Sequence, residues 1–62
     1  MEMKLRRGDR VTVVHEGGRV RETITSSEGN QLRFESGATM DRASMTYTPK
    51  TGAALQVDRI ER

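Results

Sequence analysis

The stretch that decides the fold is Arg7 to Val14, which reads Arg-Gly-Asp-Arg-Val-Thr-Val-Val. Its Gly-Asp pair is typical of a turn, and Val11 and Val13 then alternate with polar residues. Alternation with a period of two predicts a β-strand with one buried face. Val14 breaks the alternation, which predicts either a β-bulge or a strand end that is covered on both faces.

Two further alternating stretches follow, residues 19–26 and residues 30–35. Ile24 and Leu32 lie on the apolar faces of these stretches, and directly opposed residues of an antiparallel pair point to the same side of the sheet. Placing these two residues opposite each other predicts a three-residue turn, Ser27-Glu28-Gly29, with glycine in the left-handed position.

Three charged residues of this hairpin bear on function. The predicted register places Arg21 opposite Glu35, where the two side chains would form a cross-strand ion pair. Glu22 falls on the apolar side of its strand, which conflicts with the pattern of its neighbours. In falling order, we expect Glu22 to lie at an open barrel edge, to mark a bulge, or to be a functional carboxylate.

A second hairpin is predicted near the end of the chain. Tyr47 opposite Leu55 and Met45 opposite Val57 would leave a three-residue turn, Lys50-Thr51-Gly52, that again ends in glycine. The two hairpins of similar design favour an all-β fold.

The remaining segments are less regular. Residues 36–44 predict a loop that contains a short strand near Met40. Ile60 is out of step with Leu55 and Val57, which predicts either a bulge or a single helical turn between residues 57 and 60.

The chain length of 62 residues predicts one domain, with residues 1–6 as a charged lead-in. A chain this short buries only about 60% of the surface that its unfolded form exposes, so its core is small. The expected core residues are Leu5, Val11, Val13, Val20, Ile24, Leu32, Phe34, Met45, Leu55, Val57 and Ile60, with Val14, Met40 and Tyr47 as possible members.

Short strands joined by glycine turns fit a sheet that closes on itself, because closure removes exposed edges. Residues 8–11, the Gly17-Gly18 pair, and the strands at 19–25 and up to Phe34 resemble the opening of an SH3-like barrel, particularly the KOW and Tudor-like varieties. The resemblance implies an all-β fold, namely a single small SH3-like barrel of about five strongly bent antiparallel strands. Members of this group bind RNA, DNA, ribosomal or polymerase surfaces, or peptides, so the fold alone does not assign a function.

We expect no enzymatic activity, no cofactor and no small-molecule substrate. The layout is also similar to that of the tetrameric plasmid-type dihydrofolate reductases, but Gln56-Val57 lacks the tyrosine that would follow it there. His15-Glu16 lacks a third metal ligand and an orienting partner for catalysis.

The absence of cysteine and of a long apolar run predicts a soluble, cytoplasmic protein without a membrane segment.

Exposed arginines form the first candidate site. Those of the second and third strands, together with Arg10, predict either a phosphate-binding stripe, with Tyr47 or Phe34 as a stacking surface, or an ordinary solvated surface. If the surface is an ordinary solvated one, Arg10 pairs with Asp9 or another neighbour.

The methionines near Tyr47 predict either an exposed adaptable patch or a cap on the core. The candidate binding surface as a whole is Arg10, Arg19, Arg21, Arg33, Met45 and Tyr47.

The net charge is only +2, from 11 basic and 9 acidic residues, which favours a protein partner or self-association over nucleic acid. We therefore expect a non-enzymatic binding module that docks on a protein. As a short, cysteine-free barrel, it resembles small accessory or inhibitor proteins of phages and mobile elements. The alternative is a KOW-like nucleic-acid-binding protein that uses the arginine stripe.

Overall fold

The alternating stretches fold into strands that form a closed antiparallel barrel. The computed structural model describes residues 5–62. Its strands are β1 (Arg10–His15), β2 (Gly18–Glu28), β3 (Gln31–Phe34), β4 (Thr39–Asp41), β5 (Thr46–Thr48) and β6 (Leu55–Glu61).

Each strand pairs with the next along the chain, and β6 pairs with β1. This all-β architecture confirms the fold class and fits a small SH3-like barrel in general. There are six strands, not five, because the short strand expected near Met40 pairs on both sides. Over residues 5–62 the structure contains no helix, and so none that could cross a membrane.

The Gly-Asp turn ties the start of the barrel to β2. The Asp9 amide donates to the Arg6 carbonyl at 3.0 Å, and Gly8 within this turn has φ +92°, a conformation that residues with a Cβ rarely adopt. The Gly8 amide donates to the Ile24 carbonyl at 2.6 Å, and the Ile24 amide donates to the Asp9 carbonyl at 2.9 Å. Gly8 therefore makes possible the turn that delivers the chain into β1.

The hairpin of β2 and β3 is longer than predicted. Glu28 opposes Gln31, so the turn consists of two residues, Gly29 and Asn30, with Gly29 at φ +57°. Two-residue turns with positive φ match the twist of the flanking strands. The predicted three-residue turn, Ser27-Glu28-Gly29, is wrong.

A changed turn and a bulge in β2 together explain the error in register. Leu32 lies opposite Ser27, and not opposite Ile24 as predicted, because the turn is at Gly29 and Asn30. Ile24 opposes Phe34 and Ser26 opposes Arg33, which leaves Thr25 as an extra residue that lets Ile24 and Leu32 both point inward. The bulge also bends β2, so that its first half pairs with β1 and its second half with β3.

A second bulge lies in β6 and confirms one of the two alternatives for residues 57–60. His15 opposes Val57 and Val14 opposes Arg59, which leaves Asp58 as the extra residue. The shift brings Ile60 into register with a buried valine of β1.

The hairpin of β5 and β6 has the predicted register at Tyr47 and Leu55. The Val57 amide donates to the Met45 carbonyl at 2.8 Å, as expected for the next pair. The connection is longer than the predicted turn, because residues 49–54 belong to no strand.

The core fills the barrel between the inner faces of the strands. Leu55 is an error in the predicted core, since it is 36% exposed. Ala38 was missed because it lies in a polar stretch, yet it is buried. The buried cluster comprises Leu5, Val11, Val13, Ile24, Leu32, Phe34, Ala38, Met40, Tyr47 and Val57, with Val20, Met45 and Ile60 packed at its edge.

Candidate functional site

The outer surface of β6, β1 and β2 concentrates positive charge. Directly opposed residues share a side of the sheet, so the register places four arginines on this surface. We call this surface the arginine face. Its arginines are Arg10, Arg19, Arg21 and Arg59, and the residues between them are Thr12, Val14, Thr23 and Glu61.

The arginines lie close to one another. Arg19 and Arg59 both oppose Val14, from β2 and β6 respectively, so their backbones are two strand spacings apart, or about 10 Å. Arg19 and Arg21 are two residues apart along β2, or about 7 Å. Arg10 opposes Thr23, which makes it the diagonal neighbour of Arg21 at about 7–8 Å.

Val14 shows how these side chains cover the sheet. It lies on the outer face, yet it is only 8% exposed. Its cross-strand neighbours are Arg19 and Arg59, and arginine covers apolar surface with its aliphatic stem while its guanidinium stays in water. Val14 is thus covered on its outer face, as one of the two alternatives predicted, and the other alternative, a bulge, occurs beside it on β6, where the register shifts between Val14 and His15.

Carboxylates neutralise only part of this charge. Arg59 forms an ion pair with Glu61 at 2.7 Å, and the hydrogen bond from Arg59, with the charges of Arg59 and Arg19, lowers the pKa of Glu61 although partial burial opposes this. Within residues 5–62, no carboxylate lies within 4.0 Å of the guanidinium of Arg10, Arg19 or Arg21. The side chains of Arg10, Arg19 and Arg21 are therefore exposed and form no ion pair among residues 5–62.

The remaining arginine of the predicted stripe lies elsewhere. Arg33 opposes Ser26 and Thr39, on the sheet formed by β2, β3 and β4. Arg21 opposes Thr12 on β1, so the predicted pairing of Arg21 with Glu35 is wrong. The cause is the direction of β2, whose first half, which contains Arg21, pairs with β1 and not with β3.

Asp9 lies beside the arginine face and pairs with a residue other than Arg10. Its Oδ2 accepts a hydrogen bond from the Arg6 amide at 3.0 Å and one from Arg62 Nη2 at 2.8 Å. The bond from the Arg6 amide is the largest effect on the pKa of Asp9, which is lowered although burial opposes the two bonds. Arg62 therefore occupies the carboxylate that was expected to pair with Arg10.

Glu22 is buried inside the barrel at 8% exposure. Its Oε2 accepts hydrogen bonds from the Tyr47 phenol and, at 3.0 Å, from the Ser36 hydroxyl. Burial, followed by the hydrogen bond and the charge of Glu22, raises the pKa of Tyr47 to about 12. Of the three explanations for Glu22, the bulge is wrong, because the bulge of β2 is at Thr25 and Glu22 is in register with Val11 of β1.

The two aromatic rings are part of the core. Phe34 is 3% exposed and Tyr47 is 5% exposed, and their ring centroids are 5.9 Å apart. The predicted use of these rings as a stacking surface is therefore wrong, as is the placement of Tyr47 on an exposed patch. The pattern could have shown this, since Phe34 and Tyr47 alternate with polar residues on strands with an inward face.

Met45 differs from its neighbours in backbone conformation. It has φ +56°, and no other non-glycine residue in the described part of the chain has a positive φ. It ends the turn between β4 and β5, where the Asp41 carboxylate accepts hydrogen bonds from the amides of Ala43 and Ser44 at 2.8 and 3.4 Å.

A groove lies beside Met45, with a volume of about 260 Å³. Its lining residues are Leu5, Arg42, Met45, Asp58, Arg59 and Ile60. Arg59 thus belongs both to this groove and to the arginine face. Sequence reasoning missed Arg59, although the phase shift at Ile60 was the signal that could have placed it outward.

The sole histidine has a local structural role. His15 Nδ1 accepts a hydrogen bond from the Gly17 amide at 3.1 Å, in the turn between β1 and β2. A second depression, of about 370 Å³, is lined by His15, Glu16, Gly17, Leu55 and Gln56. No group of three or more metal-ligating side chains occurs among residues 5–62.

Comparison of the chain with known proteins found no matching family model, no matching curated protein and no matching solved structure.

Proposed function

We propose that this protein is a non-enzymatic binding module whose arginine face holds the phosphate backbone of a nucleic acid. The observation that carries the proposal is the spacing of Arg10, Arg19 and Arg21, which lie about 7–8 Å from their neighbours and have no carboxylate partner in residues 5–62. Like charges so close together repel one another, and a polyanion would relieve this repulsion.

The chemistry of arginine suits this ligand. The guanidinium group is planar, stays charged at any physiological pH, and donates paired hydrogen bonds to phosphate oxygens. The four side chains project from a rigid sheet and not from a loop, which reduces the entropy lost when they bind.

The small net charge does not argue against this function once charge is assigned to surfaces. The arginine face carries four arginines and one carboxylate, Glu61. The outer surface of the opposite sheet carries two carboxylates, Glu28 and Asp41, which both lie opposite Gln31, and one arginine, Arg33. The sequence-based preference for a protein partner rested on the net charge, so we now place nucleic acid first.

The resemblance to KOW-type barrels supports the same proposal, since members of that group bind RNA and polymerase or ribosomal surfaces. It rests on residues 8–11, the Gly17-Gly18 pair and the alternation through Phe34.

The test is the salt dependence of binding to labelled oligonucleotides, both single-stranded and duplex, measured by fluorescence anisotropy. Each phosphate contact contributes about 0.9 to the slope of log K against log salt concentration on duplex DNA, so the Arg19→Gln, Arg21→Gln double variant should lose about 1.8 of the slope.

The matched control is the Arg33→Gln, Lys50→Gln double variant, which removes the same charge from other surfaces of the barrel. It should bind as the parent does. Failure of the parent to bind any oligonucleotide at low salt, or an equal loss of affinity in both double variants, would overturn the proposal.

A second candidate function is docking on a protein through the groove beside Met45, as an accessory or inhibitor protein of the type found in phages and mobile elements would do. The observation that favours it is Met45 itself, a bulky residue held at φ +56° beside a groove with apolar side chains. Strained residues of this kind cluster at binding sites. The small size of the domain also supports an accessory role.

This candidate is tested with Met45→Asn, because asparagine tolerates positive φ and removes the apolar side chain. The variant should lose proteins co-purified from the source cells, or lose self-association measured by light scattering. Leu55→Asn, which removes the exposed leucine of the other depression, is the control. An inert monomer in both assays for the parent protein would refute this candidate.

A further inference from the structure

We infer that the ligand of the arginine face is a nucleic-acid duplex, bound through its phosphates without reading its base sequence. The inference rests on the proposed function and narrows its ligand. Two observations carry it, namely the position of the aromatic rings and the convex shape of the arginine face.

The first observation concerns stacking. Proteins that hold single strands combine a basic groove with aromatic rings on which the bases stack. The whole sequence contains one tyrosine, one phenylalanine and no tryptophan. Phe34 and Tyr47 are both buried, and the Tyr47 phenol is bonded to Glu22 within the barrel. Neither ring is free to stack on a base, so the arginine face lacks a main source of affinity for single strands.

The second observation concerns shape. The arginines project from the outside of a barrel, which is convex, and a single strand is usually held in a groove. A convex face that spans about 10 Å between Arg19 and Arg59 suits the continuous rows of phosphates along a duplex, and phosphate contacts carry no sequence information.

The higher charge density of a duplex also favours it over a single strand as the ligand. A duplex carries one phosphate charge per about 1.7 Å of axis, twice the density of one of its strands. Arginines about 7 Å apart along β2 and about 10 Å apart across β1 are close enough to contact several phosphates at once.

The experiment compares three labelled probes of equal length with the full chain at one low salt concentration: a DNA duplex, one of its separated strands, and a duplex of permuted sequence. The duplex should bind on the order of tenfold more tightly than the strand, because of its charge density. The permuted duplex should bind with an affinity within about twofold of the first, because phosphate contacts carry no sequence information.

Equal or tighter binding of the single strand would overturn the inference, and so would a strong preference for one duplex sequence. A duplex of RNA is a fourth probe, and it distinguishes the two sources of duplex phosphates. Both overturning outcomes leave the proposed function intact, whereas failure of every probe to bind removes both. The Arg33→Gln, Lys50→Gln control should retain the duplex preference.

Discussion

The phenol of Tyr47 donates a hydrogen bond to the buried carboxylate of Glu22 from the opposite side of the barrel interior, where the Ser36 hydroxyl also donates to Glu22. This small polar cluster joins β2 to β5, which are not neighbours in the barrel. Each donor contributes because a buried carboxylate without partners would be strongly unfavourable.

Replacement of Tyr47 by phenylalanine should lower the free energy of unfolding by about 1–3 kcal/mol, since it removes a donor from a buried acceptor. Adding Glu22→Leu should recover part of this loss, because both polar partners are then gone. Chemical denaturation of the two single variants and the double variant measures the coupling. A Tyr47→Phe protein as stable as the parent would contradict the structure.

Alkaline pH should destabilise the protein through Tyr47. Its pKa is about 12 in the folded state, against about 10 for an ordinary tyrosine. A raised folded pKa means that the native state keeps its proton while the unfolded state loses it. The contribution to stability is therefore fully present below pH 10 and is lost as the pH rises toward 12.

Tyrosinate absorbance measures this directly, because the chain has one tyrosine and no tryptophan. The folded protein should titrate at higher pH than the protein in denaturant. The stability of the Tyr47→Phe variant, measured over the same pH range, gives the part of the pH dependence that comes from lysine titration. Coincident titration curves for the folded and denatured chains would refute the prediction.

The positive φ of Met45 predicts that glycine is more stabilising than alanine at this position, the reverse of the usual order. A left-handed conformation costs a residue with a Cβ about 1–2 kcal/mol, so Met45→Gly should be more stable than Met45→Ala by about 1 kcal/mol. Thermal unfolding of the pair isolates the backbone effect, since neither variant has the methionine side chain. Ala43→Gly, in the same turn but with ordinary φ, is the control and should destabilise by roughly 0.5–1 kcal/mol. An alanine variant at residue 45 that matches or exceeds the glycine variant would argue against the left-handed backbone.

Deletion of Asp58 should preserve the register of β1 and β6. Asp58 is the extra residue, so its removal joins Val57 directly to Arg59 and keeps Val14 opposite Arg59 and Val13 opposite Ile60. Asp58→Ala keeps the backbone length and should stay within about 0.5 kcal/mol of the parent. Circular dichroism and denaturant midpoints compare the two variants, and a deletion variant that fails to fold would show that the barrel needs the bulge itself and not only the register.

Sequence alternation predicted most of the inward side chains and both hairpins, but not the register of the first hairpin. Ile24 and Leu32 were both correctly placed inward, yet they do not oppose each other. The residues after Ile24 are Thr25, Ser26 and Ser27, and a polar run carries no apolar marker that would reveal the extra residue at Thr25. The register of this hairpin therefore depends on a bulge that alternation does not reveal.

For the candidate site, the sequence predicted the outward direction of the arginines but not which of them share a surface. Arg10, Arg19 and Arg21 were expected on outer surfaces, and the structure gathers them on one face. Arg33 was grouped with them because β2 was paired with β3 along its whole length, whereas only its second half has that partner. A one-dimensional pattern gives the inward or outward direction of a side chain, and the bend of β2 decides its neighbours.

The pairing of β1 with β6, exemplified by Val13 opposite Ile60, also determines when the barrel can form during synthesis. The other strand pairs join segments that are adjacent in sequence, so they can form as the chain emerges. β1 must wait for β6 before its second edge is covered. In this interval the edges of β1 and β5 are both open and able to pair with other chains, so the nascent chain should be most prone to aggregation just before β6 leaves the ribosome.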